Sequence, residues 1–325
     1  LGHRWARALA TTEPAVTGRT GAAPAPAVAS EPVAKRTKTT ASAYEFELQI
    51  QHLKAFRQLI EVCGSVLRHI FITVTPRKTA GGGCMLSVDS IDPHHVCMVQ
   101  ARLVCDGTIA KESVSFCIEK ETLSTCLKNV PKQHLLHISQ KAGSAEVEFK
   151  SVDGMTSKVD LEVEMSTFDE EPETSELDDL DYEFLHETHM PSLKEVIKFA
   201  KDINCDLIKL TMLYDGTPLA AAAGKTREAA LSVSGKGTAA KFSRNLTSCG
   251  AAATGSTITT TSDSTLKVGH SNEFSLDFLI KMLKAMEDQY ITLKMGNELP
   301  LLMHYSLGVE DSYVRFVLAP QSHEE

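Results

Sequence analysis

Several groups of residues in this chain have types and spacings that could do chemistry. Gly224-Lys225-Thr226 follows an apolar run and reproduces the end of a phosphate-binding loop. That loop, G-x-x-x-x-G-K-[ST], needs its leading glycine so that the backbone can fold around the phosphates. Here the position is Leu219, followed by alanines. His186 and His189 fall one residue short of the i, i+4 histidines of H-E-x-x-H, which places two imidazoles on one helix face. His94 and His95 are adjacent, and His134 and His137 differ in parity. On a strand, each pair therefore points to opposite faces. No G-x-S-x-G elbow occurs, and no cysteine and histidine form a recognisable nucleophile pair. These observations predict no catalytic residue, no metal site and no cofactor.

The elements that would carry any site repeat. An alternating strand runs directly into an amphipathic helix at 44–64 (YEFELQIQHLKAFRQLIEVCG), 112–130 (ESVSFCIEKETLSTCLKNV), 182–203 (YEFLHETHMPSLKEVIKFAKDI) and 272–287 (NEFSLDFLIKMLKAME). The leading aromatics Phe46, Phe116, Phe184 and Phe274 lie 70, 68 and 90 residues apart. Repetition on this scale builds one architecture from similar units. Leu53, Phe56, Ile60 and Cys63 form the buried stripe of the first helix, with matching stripes in the others. Alternating strands follow at 86–104, 134–139, 145–149, 158–165, 207–213, 290–295 and 301–307. The pattern predicts an α+β fold of two similar domains of antiparallel sheets with helices on one face. Their predicted extents are 44–167 and 183–320, with an Ala/Pro-rich, disordered tail at 1–43, a connector at 168–182 and a short tail at 321–325. The Ala, Gly, Thr and Ser-rich stretch 217–261 lengthens the third spacing and reads as including a surface insertion.

The formal charge of −9 is unevenly distributed: nine acidic residues and no basic ones lie between Asp169 and Glu183, so the remainder is close to neutral. No stretch approaches the roughly 20 apolar residues of a membrane span. The eight cysteines never form C-x-x-C, and most stand in apolar runs, which reads as reduced thiols of an intracellular protein. Lys35-Arg36-Thr37-Lys38 reads either as a solvated charge run or as a weak nuclear import signal. The polar helix faces carry Lys54, Arg57, Lys128, Lys194, Lys198, Lys201, Lys281 and Lys284 against Glu61, Glu121, Glu195, Asp202 and Asp277. Eight bases less five acids leave a surplus of about three. Taken alone, this is what ordinary solvated faces carry. On helices set side by side, it would make a mildly basic strip able to hold a polyanion by its phosphates.

Further segments carry a resemblance. Residues 91–100 (IDPHHVCMVQ) resemble the M-D-S-S-H-V-S-L-V-Q segment of eukaryotic proliferating cell nuclear antigen, the DNA sliding clamp. Residues 299–305 (LPLLMHY) are similar to that family's V-P-L-V-V-E-Y strand, and 316–320 (FVLAP) to its near-terminal Y-Y-L-A-P. Segments 158–162, 189–192 and 274–279 fall in the expected order between them, so the resemblance spans about 45–320. It implies a homotrimeric ring with helices lining the hole, in which 145–151 of one subunit pairs with 207–213 of the next. It also implies a nuclear processivity factor for DNA replication and repair. Its partners would be duplex DNA without sequence specificity, a clamp-loader ATPase, and polymerases, nucleases and ligases that insert a peptide under the interdomain connector. Matched position by position, the eight helix bases would face DNA. The peptide pocket would comprise Ile91, His95, Val96, Leu177, Leu180, Tyr182, Pro300, Ala319 and Pro320. Plain core packing explains Ile91, Val96 and Pro300 equally well, whereas Leu177 is an apolar residue within an acidic run.

The chain also departs from the family. Leu177-Asp178-Asp179-Leu180 replaces a Leu-Gly-Ile-Pro pattern, and Gln321 stands where a basic residue is customary. The loop at 75–83, the 217–261 stretch and the tail are unusual. Two rival readings remain: a subunit of the heterotrimeric checkpoint clamp, which shares the fold, and a nucleotide-dependent enzyme using Gly224-Lys225-Thr226.

Overall fold

The four strand-helix units fold as their patterns require. A computed structural model describes residues 44–78, 82–128, 130, 135–144, 146–151, 156–160, 180–214, 227–238, 240–246, 266–287, 290–297 and 299–321. Strand β1 (Tyr44–Ile50) feeds helix α1 (Leu53–Cys63), and β5 (Val114–Glu119) feeds α2 (Lys120–Lys128). Likewise β9 (Phe184–His189) feeds α3 (Met190–Asp202), and β14 (Lys267–Ser275) feeds α4 (Leu276–Ala285). Each leading phenylalanine turns into the core, and none is more than 6 % exposed. Phe46 and Phe116, the first two in the series, stack with centroids 5.3 Å apart. Pro191 supports the start of α3, where its missing N–H leaves no bond unmade.

The remaining strands are β2 (His69–Pro76), β3 (Cys84–Ile91), β4 (Cys97–Ile109), β6 (Leu136–Lys141), β7 (Glu146–Ser151), β8 (Thr156–Asp160), β10 (Leu207–Tyr214), β11 (Arg227–Glu228), β12 (Ala230–Lys236), β13 (Lys241–Leu246), β15 (Tyr290–Met295), β16 (Leu301–Ser306) and β17 (Tyr313–Leu318). One continuous sheet runs β11-β9-β15-β16-β17-β4-β1-β6-β7-β8, with β5, β2 and β3 branching from β4; a second runs β13-β12-β10-β14. Every pairing is antiparallel except the short contact of β11 with β9. Strand β4 joins the two ends of the molecule. Its first half lies between β3 and β17, and its last residues pair with β1. The change of partner falls between Cys105 and Asp106, and at the next residue, Gly107, φ is +152° and a Cβ would lie 2.3 Å from the Glu47 carbonyl oxygen. Only glycine permits that close approach.

The helices form one layer, touching in the order α2, α1, α4, α3. A buried hydrogen bond from the Gln58 amide of α1 to the Tyr305 hydroxyl of β16 fixes the N-terminal part to the C-terminal part. Across the same junction, Lys54 pairs with Glu287 at 2.7 Å and Arg77 with Asp311 at 3.1 Å.

Two expectations are corrected. The 217–261 stretch contains more than a surface insertion, because its residues 227–246 supply β11, β12 and β13. Strand β12 lies inside the second sheet and buries Leu231 and Val233 completely. The expected subunit edges are not edges. Strand β7 is paired by β6 and β8, and β10 by β12 and β14, so neither has backbone groups left for another chain. The outermost strands at those ends are β8 and β13. The 1–43 tail, Leu177 with the acidic run through 179, the 224–226 tripeptide and 322–325 lie outside the described residues.

Candidate functional site

The helix layer presents its bases unequally. Lys54, Lys128, Lys198, Lys201, Lys281 and Lys284 are exposed. Lys281 pairs with Asp277 one turn earlier at 2.6 Å, and Lys54 with Glu287. No ion pair with a described residue engages Lys128, Lys198, Lys201 or Lys284. The other two bases do different work. Arg57 of α1 is half-buried, and its guanidinium donates to the carbonyls of Leu127, at 2.7 Å, and Val130 at the end of α2. Lys194 of α3 donates from Nζ to the Met286 carbonyl at the end of α4, at 2.6 Å. Each is the fifth residue of its helix, and each places positive charge where a neighbouring helix presents unpaired carbonyls. Their positions thus repeat the internal duplication in side-chain chemistry. The exposed positive surface comes from the other six, of which Lys128, Lys198, Lys201 and Lys284 make no ion pair with a described residue.

The second site lies on the opposite side of the sheet that joins the two ends. Strand parity sends alternate residues outward, and register then aligns them across strands. Ile91 lies opposite Met98, Met98 opposite Val317, and Val317 opposite Leu302. The result is an apolar stripe across four strands. Ile91 and Met98 are half-exposed, whereas Leu302 and Val317 are buried despite pointing outward. The segment 180–182 crosses there, for Leu180 and Tyr182 line a cavity together with Leu302. Ala319 donates its N–H to the Val96 carbonyl at 2.9 Å, which brings Val96, Ala319 and Pro320 to the same end of the sheet. All three are half-buried. Pro300 is buried and packs within the fold.

The loop before Val96 is built by a residue the sequence reading did not single out. Asp92 is 2 % exposed, and its carboxylate accepts from the backbone N–H of His94 at 2.9 Å, Val96 at 2.7 Å and Cys97 at 2.5 Å. That arrangement holds exposed His95 at φ +55°, the left-handed region. An Asp two residues before paired histidines was a visible turn signal. Met98, Val317 and Leu302 were also missed; their signal was parity with Ile91 across strands whose partners only the fold reveals.

Beside the stripe runs a polar row: Asp89, Gln100, Arg315, His304 and Thr292 face one another across the same strands. Arg315 donates from Nε to His304 Nδ1 at 3.3 Å and from a terminal nitrogen to Gln100 Oε1 at 3.2 Å. Its guanidinium stacks 4.3 Å from the Tyr313 ring centroid. Desolvation, together with the charges of Arg315 and Lys294, pulls the His304 pKa down to about 4. Burial pushes the Tyr182 phenol up. Among the described residues, no group of three or more His, Cys, Asp and Glu side chains could hold a metal ion, and no helix is long and apolar enough to cross a membrane.

No protein-family model matches the sequence, and no curated protein matches it. Solved structures do match. The proliferating cellular nuclear antigen of Entamoeba histolytica superposes with a TM-score of 0.62 at 17 % identity, over 86 % of this chain and 100 % of that one. The PCNA of Thermococcus kodakaraensis gives 0.61 at 18 %, covering 85 % and 100 %. A chain of the PCNA2–PCNA3 complex of Sulfolobus tokodaii gives 0.57 at 16 %, again covering 85 % and 100 %. Little sequence is shared, yet the backbone follows each of these chains along its whole length: this protein has the fold of proliferating cell nuclear antigen.

Proposed function

We propose that this chain is a DNA sliding clamp, a ring that encircles duplex DNA and tethers replication and repair enzymes to it. The observation that carries the reading is the arrangement of the helices. They lie in one layer along one side of the molecule, and exposed lysines are spread over all four. Strands β8 and β13, each at one end of its sheet, suit closure by strand pairing between subunits. A ring holds DNA by topology, so modest phosphate attraction suffices and a strongly basic surface would impede sliding. Under this reading the chain forms a homotrimer in the nucleus and is opened by a loader ATPase. Polymerases, nucleases and ligases then dock peptides on the stripe of Ile91, Met98 and Val96 beneath the connector.

The double variant Lys198→Glu, Lys284→Glu tests the DNA side. Loaded on nicked circular DNA, it is expected to be lost at lower salt than the unaltered chain while keeping its assembly size. Equal retention at every salt concentration would remove the helix layer from the DNA surface. A heteromeric ring is the second reading, and it covers the checkpoint-clamp alternative. It is favoured by the Sulfolobus neighbour, which is a complex of two different clamp chains. Mass in solution separates the two: three times 35.4 kDa supports the homotrimer, and a persistent monomer supports the heteromer.

A further inference from the structure

The apolar stripe ends in a cavity whose chemistry it does not explain. The cavity has a volume of about 290 Å³. Leu180 and Tyr182 of the connector form one wall, and Thr292, Lys294, Leu302, His304 and Arg315 line the rest. Tyr182 is 4 % exposed, and its hydroxyl has no hydrogen-bond partner among the described residues. A buried hydroxyl left unpaired is costly and calls for a partner. No carboxylate is among the described lining residues. Lys294 makes no ion pair with a described residue. Arg315 is held by Gln100 and by the Tyr313 ring, which fixes its guanidinium in advance. Because Arg315 donates to His304 Nδ1, a neutral His304 carries its proton on Nε2 and is a donor there. The buried Tyr182 hydroxyl and the Lys294 ammonium therefore meet, beside the Arg315 guanidinium, in a cavity whose described lining carries no carboxylate.

We propose that Tyr182, Lys294, His304 and Arg315 form an oxyanion subsite that receives a carboxylate or phosphate carried by the docking peptide. This rests on the peptide-docking reading above. Register gives the spacing. Lys294 lies opposite Leu302, Leu302 opposite Val317 and Val317 opposite Met98. Three inter-strand steps amount to roughly 14 Å, or about four residues of extended peptide. The anion therefore belongs about four residues from the apolar plug that sits on Met98.

The test uses fluorescein-labelled peptides with an apolar plug and, at a position scanned two to six residues to either side, Gln, Glu or phosphoserine. Anisotropy with the full chain reads affinity. The Gln peptide is expected to bind, and an anion at about four residues to tighten binding about tenfold. A gain with both anions assigns the site to any oxyanion, and a gain with phosphoserine alone assigns it to phosphate. Tyr182→Phe and Lys294→Gln should each remove most of the gain that the anionic peptide shows over the Gln peptide measured on the same variant. Failure of the Gln peptide to bind overturns the docking reading and takes the subsite with it. Normal Gln-peptide binding with no anion gain at any spacing overturns the subsite alone. A gain that survives in the Tyr182→Phe, Lys294→Gln double variant reflects long-range charge and also overturns it. A gain seen only after Asp178→Asn and Asp179→Asn assigns the cavity to the chain's own carboxylates instead.

Discussion

At the scale of single residues, Asp92 shows how little sequence is needed to place a loop. Its carboxylate accepts from the backbone N–H groups of His94, Val96 and Cys97 while almost wholly buried, which fixes His95 and Val96 beside the apolar stripe. Asp92→Ala leaves those N–H groups without their acceptor and should cost roughly 3 kcal/mol. Urea unfolding would register this as a lower midpoint with an unchanged slope, while Asp92→Asn should lose less because it keeps an acceptor oxygen. Histidine sets the acid limit of stability. His186 is fully buried, and its Nδ1–H donates to the Ala229 carbonyl at 2.8 Å; desolvation lowers its pKa from 6.5 to about 4, as at His304. In both cases the fold favours the neutral ring. The unfolded chain takes up protons as pH falls below about 6.5, whereas the folded chain does not until near 4. Stability is therefore full above that window and fades through it as pH falls. His186→Asn keeps an N–H for Ala229 and should flatten this decline, so an unchanged acid limb in unfolding midpoints would contradict the assignment. At Cys63, Cys97 and Cys105 burial favours the protonated thiol, raising Cys63 and Cys97 and lifting Cys105 to about 12.

At the scale of elements, the best-read features were those whose signal is local. The strand-helix units were legible because a leading phenylalanine and a 3.6-residue stripe lie within twenty residues of each other. The pocket was only partly legible. Ile91 and Val96 were marked by motif, but Met98 joins Ile91 across the pairing of β3 with β4, and Val317 and Leu302 reach Met98 only through the long-range pairing of β4 with β17. Residues 230–246 were misread because Ser, Thr and Gly dominate their surroundings, and only alternate Leu231 and Val233 betray a core strand. Arg57 and Lys194 looked like surface bases because a sequence does not show which helix ends beside which. Their capping role has a measurable consequence. Arg57→Leu exposes the end of α2 and Lys194→Met the end of α4, and each should cost roughly 1–2 kcal/mol. Hydrogen exchange should rise in the last turn of the capped helix and stay level in the helix that carries the substitution. Weakened DNA retention with no change in exchange would instead return these residues to the DNA-facing set.

At the scale of the whole molecule, the open question is how the sheets end. A row of unpaired backbone groups on an outermost strand invites pairing with another chain, and a closed ring removes that exposure. Among the described residues, strand β13 pairs with β12 on one side only, and Lys241, Ser243, Arg244 and Asn245 on it are exposed. Successive residues of a strand direct their N–H groups to opposite sides, so Ser243 and Arg244 cannot both donate to β12. Proline removes the donor at whichever position it occupies. Of Ser243→Pro and Arg244→Pro, one therefore breaks a bond within the sheet and lowers the unfolding midpoint. The other removes a donor from the open edge and leaves the isolated chain nearly as stable. If β13 closes the ring, that second variant should stay folded by circular dichroism but sediment as a single chain at concentrations where the unaltered protein is assembled. Assembly that survives both prolines would show that the subunits meet elsewhere, and β8 would then have to find its partner on a different surface.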